Sequence, residues 1–469
     1  MKRKLLPFLM LFSALLTLTS CLSSEEDTTV YYDDTAITSF KLGTLNQKVV
    51  TTNSDQTTTT SKTTVDCSGY AFYINQATRE IYNPDSLPYG VDASKVICTI
   101  SSKNSGTVTI KSLTSDSLRY YSNADSIDFT QPRQFTVYSN SGNYSRTYTI
   151  RVNVHQQQGG IFGWDNLGTD ETLAALADMK ALATEDRLYV FGNLNGEARI
   201  YSRPLTKAGT FARVSPNIAL PVDVSRNVIT MGNVLYTLRD GQLMRSSDAA
   251  SWTAVGTVSL QQLLGATDSR MYAYGTDGSL KTSTDGTQWT DETLLDDRSM
   301  LPVTDLNLCY LPSKTNKYTN QVILIGNRTV ATDAAAMVWG TVEENAEGSE
   351  HQPWSHYIFT GDNQHQAPHL LNLKVIAYNG GLLAMGGAGQ GGSQEKAFAQ
   401  FYRSIDRGIT WHNDSLYVLP AGFASSETSF ALAVDRQQFI WIVAGGTGQL
   451  WRGRLTDLGW KKEDTVFTE

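Results

Sequence analysis

Between residues 187 and 460 the chain repeats one order of elements six times: apolar strand, glycine turn, apolar strand, polar turn, then an aromatic residue that is tryptophan in all units but the first. The units run Arg187 to Phe211, Asn233 to Trp252, Arg270 to Trp289, Gln321 to Trp354, Gly380 to Trp411 and Gln438 to Trp460. Gly241-Gln242-Leu243, Gly278-Ser279-Leu280 and Gly448-Gln449-Leu450 sit at matching turns. A unit of about 40 to 60 residues cannot cover its own apolar face and has to stack on its neighbours, which leaves a solenoid or a closed ring of four-stranded blades. Unequal unit lengths favour the ring, where insertions fall into rim loops. The expectation is an all-β chain whose residues 161–469 form a β-propeller of six blades. Seven is the alternative, because Gly163-Trp164-Asp165-Asn166-Leu167 has the pattern of a further outer strand. Thr172 to Thr184, rich in alanine and leucine, reads as a single helix.

Residues 37–155 carry a different pattern, six or so short β-branched or alternating runs such as Ile37 to Leu42, Val96 to Ile100, Phe135 to Tyr138 and Thr147 to Val152. Short strands at this density make a β-sandwich. The threonine-rich tract Thr51 to Thr64 reads as an exposed loop or edge hairpin, and residues 156–160, polar and ending in Gly159-Gly160, read as a hinge. The strings "ITSF", "NPDSLPYG" (Asn83 to Gly90) and "YTIRV" resemble those of the immunoglobulin-like modules that open many Bacteroidetes surface lipoproteins, where such modules are usually spacers.

The N-terminus gives an address. Lys2, Arg3 and Lys4 precede an apolar run, Leu5 to Leu18, which leads through Thr19-Ser20 to Cys21. About 14 apolar residues are too few to cross a hydrocarbon core of roughly 30 Å, so residues 1–20 read as a cleaved lipoprotein signal peptide and Cys21 as the lipidated N-terminus. Residues 21–36 are acidic, small and hydroxylated and read as a flexible stalk. Ser23-Ser24-Glu25-Glu26-Asp27 resembles the signal that sends Bacteroidetes lipoproteins outward, which implies an outer-membrane anchor facing the exterior. A net charge of −8 without a basic cluster beyond the signal argues against nucleic acid and anionic lipid as partners. With only Cys67, Cys98 and Cys309 besides Cys21, the chain is no disulfide scaffold. Cys67 and Cys98 either pair or act as two small buried hydrophobes.

The polar turn before the tryptophan is the sharpest internal motif. Ser404-Ile405-Asp406-Arg407-Gly408-Ile409-Thr410-Trp411 has the form S-x-D-x-G-x-T-W. Ser283, Asp285, Gly286 and Trp289 keep it with one residue fewer, and Ser246, Asp248 and Trp252 keep only its frame. An aspartate there accepts backbone N–H bonds of the turn, glycine takes positive φ, and tryptophan packs beneath, so these residues read as structural. The motif resembles the Asp-box of the propellers that include sialidases, other glycan-active proteins and sortilin-like receptors. The resemblance implies a scaffold. A sialidase would need an arginine triad and a tyrosine–glutamate pair, and the nearest string, Tyr201-Ser202-Arg203-Pro204, has its arginine displaced; no catalytic residue is carried over. The layout as a whole resembles an uncharacterised family of Bacteroidetes lipoproteins.

Four histidines, His351, His356, His365 and His369, crowd one inter-blade insertion without a compact zinc spacing, so they are candidate ligand contacts in a solvated loop, and no metal or cofactor is expected. Trp339 is a further candidate, since a flat ring at a rim suits sugar stacking. Gly386 to Gly392 lacks the G-K-[ST] ending of a nucleotide cradle. Asp27-Thr28-Thr29 and Asp34-Thr35-Ala36 are similar to the Bacteroidetes O-glycosylation sequon, which makes Thr28 and Thr35 candidate acceptors. Together these features lead to a monomeric surface lipoprotein, non-enzymatic, whose propeller binds a glycan or protein. The alternatives are an Asp-box-type glycoside hydrolase or lyase, and a structural component of an outer-membrane complex.

Overall fold

The structure, a computed structural model, describes residues 30–52, 58–349, 352–357 and 363–456; the signal peptide, Cys21, Thr28, His351 and Trp460 lie outside them. The chain divides into two compact units at Gln158/Gly159.

In the N-terminal unit a six-stranded sheet runs in the order Tyr73–Asn75, Glu80–Tyr82, Ser145–Arg151, Arg133–Tyr138, Val108–Lys111, Leu118–Tyr120, and a three-stranded sheet runs Ile37–Leu42, Val96–Ser102, Ser126–Ile127. Strict alternation along Arg133–Tyr138 sends Phe135 and Val137 inward. There they meet Ile37, Phe40, Leu42 and Phe129 from the other side of one core, so the unit is a sandwich. Thr44–Thr52 and Thr58–Asp66 form a separate two-stranded hairpin over the threonine tract. Cys67 and Cys98 are free, buried thiols, and burial pushes the Cys98 thiol up to about 12.

Two expectations for the stalk are corrected. Its described end is laced onto the sandwich. Tyr32 N–H donates to Asn140 Oδ1 (2.6 Å), and Asp33 Oδ1 accepts from Ser141 Oγ (2.6 Å) and Asn143 Nδ2 (3.0 Å). Thr35 is 3% exposed and its hydroxyl donates to the Tyr138 carbonyl, so the folded protein offers it to no glycosyl donor.

Among the described residues the C-terminal unit contains six four-stranded antiparallel sheets. Their innermost strands are Met179–Ala183, Val228–Met231, Leu260–Ala266, Thr304–Pro312, Lys374–Tyr378 and Phe430–Val434, one for each of blades 1 to 6. Each innermost strand touches the next around the circle, and Phe430–Val434 touches Met179–Ala183, which closes a six-bladed propeller. Apolar clusters fill the gaps between blades; Leu188, Val190, Trp441 and Val443, for example, join blades 1 and 6.

The closure explains the strand that suggested a seventh blade. Phe162–Thr169 exists, but it pairs with Gln449–Leu455 from Phe162↔Leu455 to Thr169↔Gln449. It therefore supplies the outer strand of blade 6, whose other three strands come from the far end of the chain. The expected helix at Thr172 to Thr184 shrinks to one turn, Glu171–Ala174, capped by Asp170, whose side chain accepts from Thr172 and Leu173 N–H. Met179–Ala183 is a strand instead, because pairing with Arg187–Leu194 and burial of Met179 and Ala181 outweigh local helix propensity.

Candidate functional site

The serine–aspartate turns end the third strand of blades 2, 3 and 5 and share one geometry. In blade 5, Ser404 Oγ donates to Asp406 Oδ1 (2.8 Å) and accepts from Gly408 N–H (2.8 Å), while Asp406 accepts from Thr410 N–H (2.9 Å) and Thr410 Oγ (2.6 Å). Asp285 accepts from Thr287 and Gln288 N–H, and Asp248 from Ala250 and Ser251 N–H. Each tryptophan ring then donates back into its own turn, Trp411 Nε1 to Gly408 O, Trp289 to Gly286 O and Trp252 to Ala249 O, all within 2.8–3.0 Å. Gly408 has φ +95°, a conformation that strains other residues, and a Cβ there would press on Val338 Cγ1 at 3.0 Å. The hydroxyl and N–H donors of the turns hold Asp285 below its ordinary carboxylate range, and chiefly the Ser251 N–H does so for Asp248. For Asp406 burial opposes the shift, but the Thr410 and Ser404 donors prevail. These carboxylates are occupied by their own turns.

Blade 1 solves the same turn with a cation. Arg203, 1% exposed, donates to the carbonyls of Pro204 (3.3 Å), Thr206 (3.0 Å) and Lys207 (3.4 Å), and its guanidinium lies 5.0 Å from the Trp441 ring centroid. Burial, with Arg452 nearby, lowers it to about 10.

The candidate ligand contacts do not converge. Trp339 is 0% exposed; its indole Nε1 donates to Met300 O (2.9 Å) and its ring fills the gap between blades 3 and 4, so it is a core residue and reaches no ligand. His369 is also buried, with Nδ1 2.8 Å from Asp333 O. His356 packs on Trp339, and His365 is exposed against His412, ring centroids 4.2 Å apart. Among the described residues no three His, Cys, Asp or Glu side chains are grouped to hold a metal.

What the ring does bring together is a central channel of about 1120 Å³, lined by the six innermost strands. Lys180, Lys374, Asp178, Arg226 and Asp305 lie on it where the innermost strands begin. Several of its polar groups are spent on joining blades. Asp178 accepts from Ser225 Oγ (3.1 Å) and Arg226 Nε (3.3 Å), tying blade 1 to blade 2. Asn307 donates to Leu373 O (3.0 Å) and accepts from Val375 N–H (3.0 Å), as a backbone amide would, tying blade 4 to blade 5. Arg328 is forked onto Asp333, at 2.8 and 2.9 Å. Lys180 and Lys374 make no ion pair or side-chain hydrogen bond with any described residue. Burial, followed by repulsion from Lys374, lowers Lys180 to about 8, and burial lowers Lys374 despite Asp178 and Asp305 nearby. Burial raises Asp305, whose Oδ2 accepts from Asn327 Nδ2 (2.9 Å).

None of these channel residues was marked by a motif. The one signal was a lysine inside an otherwise apolar run, in Met179-Lys180-Ala181 and Lys374-Val375-Ile376, and the first of these lay in the stretch read as helix.

Residues 159–463 match the model of the DUF6242 beta propeller domain, and residues 40–152 that of the DUF6242 N-terminal domain of unknown function. No curated protein matches the chain. Among solved structures it is similar to a GH74 enzyme from Niastella koreensis, at 13% identity over 76% of this chain and 46% of that one, with a TM-score of 0.32. The chain thus spans about half the length of that enzyme. A gluconolactonase from Xanthomonas campestris is matched at 14% identity over 65% of this chain and 100% of that one, with a TM-score of 0.33. A family AA12 carbohydrate-active enzyme from Trichoderma reesei is matched at 9% identity over 63% and 96%, with a TM-score of 0.37. Overlaps this loose carry no argument about chemistry.

Proposed function

The chain belongs to the DUF6242 family, and on that premise we propose that it is a surface-exposed lipoprotein, held to the outer membrane by lipid on Cys21, whose propeller binds a glycan or protein without transforming it. Its serine–aspartate turns are read as Asp-boxes that brace the blades. The observation that carries the binding reading is the channel, a concave opening, part polar and part apolar, positioned by six strands that are themselves locked together. Its arginines Arg226 and Arg328 are engaged by Asp178 and Asp333, which suits a rigid wall better than a reacting one.

A second reading, a glycoside hydrolase or lyase, has one observation in its favour: a carboxyl raised by burial, Asp305, stands in the same channel as Lys374. One experiment separates the two. The purified protein is exposed to a broad panel of host and plant glycans, with binding and product formation followed in the same wells. Binding without new reducing ends or unsaturated products supports capture; turnover that is lost in Asp305→Asn refutes it. Release of the protein from outer-membrane vesicles on Cys21→Ala tests the anchor.

A further inference from the structure

The walls of the channel carry six lysine and arginine side chains against three aspartates, in a chain whose net charge is −8. Three of those cations are neutralised inside the protein: Arg226 by Asp178, Arg328 by Asp333 and Arg436 by Glu185. Lys314 is exposed near Gly380, toward the far end of the innermost strands. That leaves Lys180 of blade 1 and Lys374 of blade 5, half-buried on the channel and in no ion pair with a described residue, with Asp178 and Asp305 in the surroundings of Lys374. Both stand on the channel at the end where the innermost strands begin.

Two half-buried ammonium groups on one channel cost stability to the extent that nearby carboxylates leave them uncompensated, and of the two beside Lys374 Asp178 is shared with Arg226 and Asp305 is raised by burial. Lysines on a surface would swing apart into water. Here their backbones are fixed in innermost strands that pair with Arg187–Leu194 and Gly381–Met385. The surrounding donors suit an oxygen-rich guest: Asn372, Gln390 and Thr428 line the same channel, and the Asn372 amide Nδ2 is buried without a hydrogen-bond partner. The arrangement is a preorganised receptor for negative charge.

We propose that the channel binds the oxyanion group of a small acidic ligand, a carboxylate or phosphate, between Lys180 and Lys374. This rests on the reading of the propeller as a binding module and names the chemistry of what it binds. A carboxylate borne on a saccharide is the form best matched to the polar amides around the pair, since sugar hydroxyls both donate and accept. No bond is made or broken.

The test is calorimetric titration of the wild-type protein and of Lys180→Met, Lys374→Met and the double variant with three probes: a galacturonate trisaccharide, a neutral galactose trisaccharide and inorganic phosphate. The expected result is binding of the galacturonate, at least tenfold weaker in each single variant and absent in the double, with phosphate competing. Phosphate binding that vanishes in the double variant, with no saccharide bound, also supports the oxyanion site and fails only the glycan reading. Neutral trisaccharide bound as tightly as galacturonate, or galacturonate bound equally by the double variant, overturns the proposal while leaving a glycan-binding propeller intact. No binding of any probe by the wild type overturns it as well. Because methionine removes a poorly solvated charge, the variants should melt no lower than the wild type, and thermal melts of all four proteins confirm that lost binding is not lost folding.

Discussion

Replacing Asp406 by asparagine isolates the charge of one serine–aspartate turn with almost no change in shape. The carboxylate accepts three hydrogen bonds, from Ser404 Oγ, Thr410 N–H and Thr410 Oγ. Bonds to an ionised acceptor contribute about 1.5–3 kcal/mol each and neutral ones about 0.5–1.5, so losing the charge across three bonds costs about 2–3 kcal/mol. Partial solvent access to Asp406 brings the expectation down to about 2 kcal/mol, a fall of roughly 4 °C in melting temperature for a domain of this size. The pH dependence gives the reasoning its sharper edge. The folded Asp406 titrates below the ordinary aspartate value of 3.8, so its contribution is fully present above that pH and is lost as pH falls through the lower, folded value. Urea unfolding of wild type and Asp406→Asn, followed by tryptophan fluorescence, should therefore give a constant gap from pH 7 to about 5 that closes below about pH 4. A gap that persists unchanged at pH 3, or one under about 0.5 kcal/mol at pH 7, would show that the turn does not depend on the charge. A variant of wild-type stability that no longer binds ligand would refute the structural role altogether.

Arg203→Lys should destabilise by about 2–4 kcal/mol in urea unfolding, since a lysine cannot fork onto the carbonyls of Pro204, Thr206 and Lys207 while lying over Trp441; wild-type stability would mean that this turn holds without the guanidinium fork. Glu292, nearly buried beside Trp354 Nε1, is raised by burial to about 7 against an ordinary glutamate value of 4.5. Between those values the unfolded chain ionises and the folded one resists, so stability falls as pH rises, by at most about 3 kcal/mol, and Glu292→Gln should gain on the wild type from pH 5 to 8; parallel profiles would rule this out. Deleting residues 159–169 strips the outer strand from Gln449–Leu455 and should give an open edge that lowers the melting temperature and self-associates by size-exclusion chromatography; a stable monomer would mean that the ring closes without that strand.

Which parts were legible in the sequence follows from where each strand sits. The second strands, such as Leu188 to Phe191, Met271 to Gly275 and Ile440 to Ala444, are buried on both faces and read as apolar runs between glycine turns. The innermost strands were not legible, because they border the channel and mix polar with apolar residues, as in Leu260-Gln261-Gln262 and Thr304-Asp305-Leu306-Asn307. Every repeat unit was accordingly taken to begin one strand late. Trp339 misled for the opposite reason: an aromatic ring in a strand announces burial, but not which blade it packs against. Lys180 and Lys374 are 194 positions apart, and only closure of the ring puts them on one channel.

That closure also sets a clock. Phe162 is made early and finds its partner, Leu455, 293 residues later, so during synthesis blade 6 has no outer strand to offer and its future outer strand has nothing to pair with. Blades 1 to 5 are each continuous in the chain and are able to form as they emerge, but the seam forms last and over the longest loop. A chain stalled before Gln449 carries two strands, Phe162–Thr169 and Ile440–Ala444, left open on the side where the same missing strand would join them, and a complete neighbour's Gln449–Leu455 fits both.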